Sequence, residues 1–216
     1  MEKIKAFITA HKFFKILKWA FLILIIIYIL GVIWRLNYNR NLAKTEIQVA
    51  KIHNTKLTID NVMGKNLPPD PGAEADKTVQ GIDANNNGIR DDVELAVFKE
   101  YPNSAKTRAV LLQYALALQM QTIQSIINTD TATEIITENS RGHACVANVL
   151  VPRKDPESGR NNEEVEKIYE YINFIEDKQF NNDIRKKANE DFYEYLRSYS
   201  ESTNEICDID VSKLPN

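Results

Sequence analysis

The sequence predicts a mainly α chain: an N-terminal transmembrane helix, a short extended segment with an Asp- and Asn-rich loop, and then an antiparallel helical bundle. Three observations predict it. Residues 19–34 read WAFLILIIIYILGVIW, sixteen residues without a charge. Residues 83–94 read DANNNGIRDDVE, with Asp and Asn at alternate positions before a glycine. From Val93 onward, apolar residues recur at intervals of three and four, the spacing that gathers them on one helix face.

Composition divides the chain in the same way. The 216 residues are 44% hydrophobic and 26% charged with a net charge of -3, enough for one domain with a buried core. Residues 1–44 hold eight Lys or Arg and one acid, so the totals of 27 basic and 30 acidic residues leave 19 and 29 for residues 45–216. A basic anchor at +7 thus precedes an acidic remainder at -10. With that balance and no nucleic-acid module, Arg185, Lys186 and Lys187 read as a solvated helix face, and no nucleic-acid partner is expected.

The first element occupies residues 16–36, after a basic cytoplasmic segment over residues 1–15. At 1.5 Å per residue, the stretch from Ile16 to Trp34 makes a helix of roughly 28 Å, close to a bilayer core of about 30 Å. A cleaved signal peptide would end in small residues, whereas this run ends Val32, Ile33, Trp34, Arg35, so the helix is expected to stay as an anchor in the lipid bilayer. Lys3, Lys5, Lys12, Lys15 and Lys18 precede the span, against Arg35, Arg40 and Lys44 after it. The bias places the N-terminus in the cytoplasm and the C-terminal domain outside.

Residues 37–75 read as a linker. TEIQVAKI alternates enough to predict a short strand, with KLTID around Leu57 and Ile59 as its partner. The prolines and glycines of GKNLPPDPG, residues 64–72, forbid regular structure there.

The domain proper is expected over residues 76–216. VELAVFKEY predicts a short helix ending before Pro102. Asn103 or Ser104 then caps a central helix containing Val110, Leu111, Tyr114, Leu118, Ile123 and Ile127. A further segment runs from Ala132 through Ile136, with an interruption at Gly142 before ACVANVL. Two amphipathic stripes follow: Val165, Ile168, Tyr169, Ile172 and Ile175, then Ile184, Ala188, Phe192, Leu196 and Tyr199. Such stripes need a covering surface, which a bundle supplies.

The loop carries the most specific chemistry. Asp83, Asn85, Asn87, Gly88 and Glu94 fit the pattern D-x-[DN]-x-[DN]-G-x5-E of an oxygen-lined calcium loop. Calcium takes six to eight oxygens, and alternating short side chains turn theirs inward while glycine allows the bend. Asp83, Asn85 and Asn87 are the first candidate Ca2+ ligands. Ile89 would add its backbone carbonyl, Asp91 would bind directly or through water, and Glu94 would supply a bidentate carboxylate. The competing reading is an Asn/Asp turn that caps the following helix and needs no ion.

The run from Leu67 to Glu94 resembles bacterial membrane-anchored envelope proteins of unknown function that carry an IDxNxNGxRDDVE-like segment. Its loop is also similar to those of thrombospondin type 3 and dockerin modules, although dockerins carry a pair and here there is one. The resemblance implies metal positions at Asp83, Asn85, Asn87, Asp91 and Glu94, and a single-pass protein of the bacterial inner membrane with its C-terminal domain periplasmic or extracellular. It implies no enzymatic role.

Cys145 and Cys207 both fall in the outward segment, where an oxidising compartment would join them and pin the C-terminal tail to the helices. His143 beside Cys145, with Glu134 and Glu138 upstream, invites a nucleophile reading, but residues two apart on a helix do not face each other. No phosphate loop, dinucleotide fingerprint, HExxH or GxSxG occurs. The expected function is a calcium-stabilised interaction or structural module with an envelope-protein or cell-wall partner, using tyrosines such as Tyr169, Tyr171, Tyr193 or Tyr195. The alternative is a membrane-anchored envelope hydrolase whose groups converge only in the fold.

Overall fold

The structure, a computed structural model, describes residues 2–154, 158–199 and 205–215, with side chains from Lys15 onward. Every regular element among the described residues is helical. In order these are α1 (Glu2–Asn54), α2 (Ile59–Val62), a 3-10 turn (Gly72–Asp76), α3 (Asp91–Glu100), α4 (Ala105–Ile123), α5 (Thr129–Leu150), α6 (Asn162–Gln179), α7 (Asp183–Tyr193) and a second 3-10 turn (Val211–Lys213). The chain forms two compact units, residues 1–46 and 47–216.

In the first unit the side chains from Ile16 to Leu36 are all exposed, including Phe21, Leu24, Ile27 and Leu30. α1 is the one helix among the described residues long and apolar enough to cross a membrane. A helix satisfies its own backbone groups, which makes it the single-segment solution in lipid. Trp34 and Tyr38 stack at 6.0 Å where the apolar run ends.

The predicted strand is not formed. TEIQVAKI continues α1, and KLTID supplies the Thr58 cap and first residues of α2. The reason is that no Gly or Pro interrupts the chain between Gly31 and Gly64, so the helix propagates. Ile47 and Val49 suggested alternation, but the inward residues are half-buried Gln48 and Val49 and fully buried Ile52, a helical spacing.

The second unit is a helical bundle built around α4. Ser104 caps this helix by accepting the Thr107 N–H at 3.1 Å. Val110, Leu111, Leu112, Tyr114, Leu116 and Leu118 are buried around most of its circumference, while Ile123 and Ile127, predicted with them, are exposed near its end. α4 touches α2, α3, α5, α6 and α7. Burying each large aliphatic side chain contributes roughly 2 kcal/mol, so the core's stability is concentrated on this helix.

Gly142 does not interrupt a helix, for α5 runs unbroken through it. A methyl at Gly142 would stand 3.1 Å from the Tyr114 Cα, so the glycine permits close approach of α4 and α5. Gly142→Ala is therefore expected to lower stability by about 1–3 kcal/mol despite Ala's better helix propensity. Urea unfolding followed by far-UV circular dichroism measures it, and a more stable variant would refute the packing explanation.

The last two stripes are rotated from their predicted positions. Ile168, Ile172 and Ile175 of α6 are buried, whereas Val165 and Tyr169 are exposed. On α7 Phe192 is buried, Ile184 is exposed and the helix ends at Tyr193, before Leu196 and Tyr199. Arg185 is fully buried, so the basic cluster is not wholly a solvated face; Lys186 and Lys187 are exposed.

Cys145 and Cys207 form a disulfide with Cα atoms 5.3 Å apart. Around it, Gln113 donates to the Ile206 carbonyl at 2.9 Å and accepts the Asp208 N–H at 2.9 Å. Arg141 donates to the Glu205 carbonyl at 2.8 Å and to Asp208 at 3.0 Å.

Candidate metal centre

Loop 83–94 is folded by its own side chains. Both Asp83 carboxylate oxygens accept backbone N–H groups, from Asn87 at 3.0 Å and Gly88 at 2.9 Å. Asn85 Oδ1 accepts from Asn87 N at 3.2 Å, and Asn87 Oδ1 from Ile89 N at 2.8 Å. Gly88 adopts φ +85°, and a Cβ there would meet Leu116 Cδ1 at 2.7 Å. Only glycine meets both demands at this bend.

The later candidates lie deeper. Ile89 is fully buried beneath the loop. The first ladder bond of α3 runs from Glu94 N to Arg90 O at 2.9 Å, which leaves the Ile89 carbonyl outside the helix ladder. Asp91 is buried and accepts Ala84 N–H at 3.0 and 3.2 Å. Arg90, the cap position, makes no side-chain cap bond, so the Asn/Asp turn does not cap α3 in the simple form. Glu94 is 1% exposed and accepts the Asn85 amide at 2.9 Å.

The electrostatics of these acids follow from burial. Burial pushes the Glu94 carboxyl up to about 7, with Asp91 and Asp83 adding to the rise and the Asn85 and Asn87 amides opposing it. Asp91 is also raised, first by burial, then by Asp83 and Asp92, against the Ala84 N–H. Asn87 Nδ2 is buried without a hydrogen bond of normal geometry, although the amide lies near enough to Glu94 to favour its charged form.

Among the described residues, no group of three or more His, Cys, Asp or Glu side chains is gathered closely enough to hold a metal ion by itself. A site here therefore depends on mixed donors, with the Asn carboxamides and the Ile89 carbonyl completing what Asp83, Asp91 and Glu94 begin.

Two buried arginines fasten the surroundings of the loop. Arg90 grips Asp92 through two bonds of 2.8 and 2.6 Å and donates to the Gln179 and Lys178 carbonyls, both at 2.9 Å. Its charge thus meets the C-terminal carbonyls of α6, where a cation is favoured. Arg185 donates to Asp76 at 2.7 Å, to Asn181 at 2.6 Å, and to the carbonyls of Ala75, Thr78 and Val79. Burial and the nearby Arg90 charge lower its proton affinity, against Asp76 and Asp92. Together they tie the segment from Ala75 to Asp92 to α6 and α7. Sequence reading missed both because most of their acceptors are backbone carbonyls, which no residue pattern encodes.

The remaining polar groups are dispersed. Cys145 is committed to its disulfide, so His143 has no thiol beside it. His53 and Glu134 pair at 2.8 Å in an open cleft of about 360 Å3 that also carries Lys56, Glu138, Arg141 and Glu205. Of the tyrosines named for contact, Tyr169, Tyr193 and Tyr195 are exposed, whereas Tyr171 packs against the core and Tyr101.

No protein-family model, curated protein or solved structure matches the chain.

Proposed function

We propose that this is a single-pass envelope protein whose outer unit is an interaction or structural module braced by one calcium ion in loop 83–94. One observation carries the calcium reading. Asp83, Asp91 and Glu94 share one loop, two of them are buried, and among the described residues none has an ion-pair partner. Asp92 is the acid that Arg90 takes. Buried charges are ordinarily paired or bound to metal, and a calcium ion would supply the two missing positive charges.

Asp83, Asn85, Asn87, the Ile89 carbonyl, Asp91 and Glu94 are the residues that would hold it. The ion's chemistry here is neutralisation and cross-linking of a loop to the start of α3. The basic bias before residue 16 supports a cytoplasmic N-terminus and an outer unit beyond the membrane. An antiparallel arrangement of the bundle accords with the short connections from α4 to α5 and from α6 to α7. The anchored-hydrolase alternative has the His53 and Glu134 pair to draw on, in an open cleft that also holds Thr137 and Lys56 but whose Arg141 is already paired with Glu138 and Asp208.

Calorimetric titration of the full chain in lipid nanodiscs tests the ion site. Calcium is expected to bind the native chain with measurable heat, and Asp83→Ala to lose it. Native protein that gives no calcium heat, or a variant that binds as well, would remove the reading.

A further inference from the structure

We infer that the outer unit holds a separate site for a phosphate group, in a cleft of about 290 Å3 formed by α5, the segment after it and the C-terminal tail. Its polar wall consists of Ser140, Arg141, His143, Asn148, Arg153 and Arg160, with no carboxylate among the described residues that line it. The two larger polar clefts of this unit both carry acids: Glu134, Glu138 and Glu205 in one, Glu176, Asp177 and Glu190 in the other. A cationic wall on a unit whose sequence is at -9 is a local concentration of charge against the average.

The three guanidinium groups differ in what compensates them. Arg141 is spent, because Glu138 and Asp208 pair with it. Arg160 is held in place by the Val151 carbonyl, the Ala147 carbonyl at 2.9 Å and Asn148 Oδ1 at 3.1 Å, all neutral acceptors. The acid that attracts it, Glu164, turns its two oxygens to the backbone N–H groups of Lys154 at 3.0 Å and Asn161 at 3.1 Å. Arg153 is exposed and has no partner among the described residues. Among the described residues, Arg153 and Arg160 therefore lack a hydrogen-bonded carboxylate, and Arg160 is fixed by its neutral acceptors.

Charge matching selects the ligand. A phosphate monoester dianion compensates both arginines, whereas a single carboxylate leaves one uncompensated, and guanidinium forks fit phosphate oxygens through paired N–H bonds. The Ser140 hydroxyl and the Asn148 amide add neutral donors on the same wall. The phosphate has two sources, free phosphate in the surrounding medium or a lipid headgroup.

Inorganic phosphate titrated into the full chain in zwitterionic nanodiscs, read by calorimetry, tests the site. Arg153→Gln is expected to weaken binding at least tenfold and Arg153→Lys to retain part of it. Arg197→Gln, the same charge change at another exposed arginine, is expected to leave binding unchanged. Absence of binding by the native chain, an unaffected Arg153→Gln, or equal loss in Arg197→Gln would each overturn the proposal. Repeating the titration in discs carrying phosphatidic acid separates the sources. Loss of the Arg153-dependent phosphate heat there assigns the site to a lipid headgroup, and its persistence assigns it to free phosphate.

Discussion

Replacing Cys145 and Cys207 together by serine is expected to destabilise the helical bundle by about 4 kcal/mol. The bridge closes a loop with a sequence separation of 62, and the chain-entropy relation for a loop of that size gives this magnitude by restricting the unfolded ensemble. The folded side argues that the loss will be felt as stability and not as a detached tail. Ile206, Ile209, Val211 and Leu214 pack on the core, Gln113 clamps residues 206 and 208, and the Pro215 carbonyl accepts Lys106 N–H at 3.1 Å. With those contacts kept, the serine variant should fold with native helix content and unfold earlier. For a unit of this size, that loss lowers the melting temperature by roughly 10–15 °C. Far-UV circular dichroism on the full chain in nanodiscs reads the change; tryptophan fluorescence does not, because both tryptophans, Trp19 and Trp34, lie in the apolar run. A shift below about 1 kcal/mol would show that the tail's own contacts, and not the bridge, hold the C-terminus.

The parts of this molecule that were legible in the sequence are those written in consecutive residues. The anchor showed because sixteen uncharged residues in a row have few other uses. The cap of α4 showed because Ser104 stands just ahead of an apolar run. The strand prediction failed because two β-branched residues at alternate positions outweighed the absence of any breaker between Gly31 and Gly64, and continuity of the helix decided the outcome. Gly142 was misjudged for a related reason: a glycine reads as a break from one chain, while its use here is defined by the Tyr114 backbone of another helix. The candidate metal loop was visible as a spacing of oxygens. What surrounds it was not, because Arg90 and Arg185 find partners 88 to 110 residues away. A buried arginine whose acceptors are mostly carbonyls leaves no complementary side-chain pattern to read.

Glu94→Gln is expected to raise the stability of the calcium-free bundle at pH 8 and, on the calcium reading proposed above, to abolish stabilisation by the ion. The carboxyl of Glu94 is pushed from its ordinary 4.5 to about 7 in the fold, chiefly by burial. A raised acid means that the folded state holds the proton more tightly than the unfolded chain, so the contribution of Glu94 to stability is fully present below pH 4.5 and is lost as pH rises through about 7. A shift of that size corresponds to roughly 3 kcal/mol at pH 8. Glutamine stays neutral at every pH, keeps the shape, and offers an oxygen to the Asn85 amide, so the variant escapes this loss. On the calcium reading proposed above, an ion bound by the native chain would offset the same loss by compensating the carboxylate, and its affinity should rise with pH up to about 7 as proton and ion compete for Glu94. Urea unfolding of both proteins between pH 4.5 and 8, in chelator and in calcium, separates the effects. The native chain in chelator should lose stability across the window, the native chain in calcium should keep it, and the variant should lose less than the native chain in chelator and gain nothing from calcium. A native chain equally stable at both ends of the window in chelator would show that Glu94 is not held as a strained acid. A variant less stable than the native chain at pH 8 in chelator would show that its carboxylate stabilises the loop without an ion.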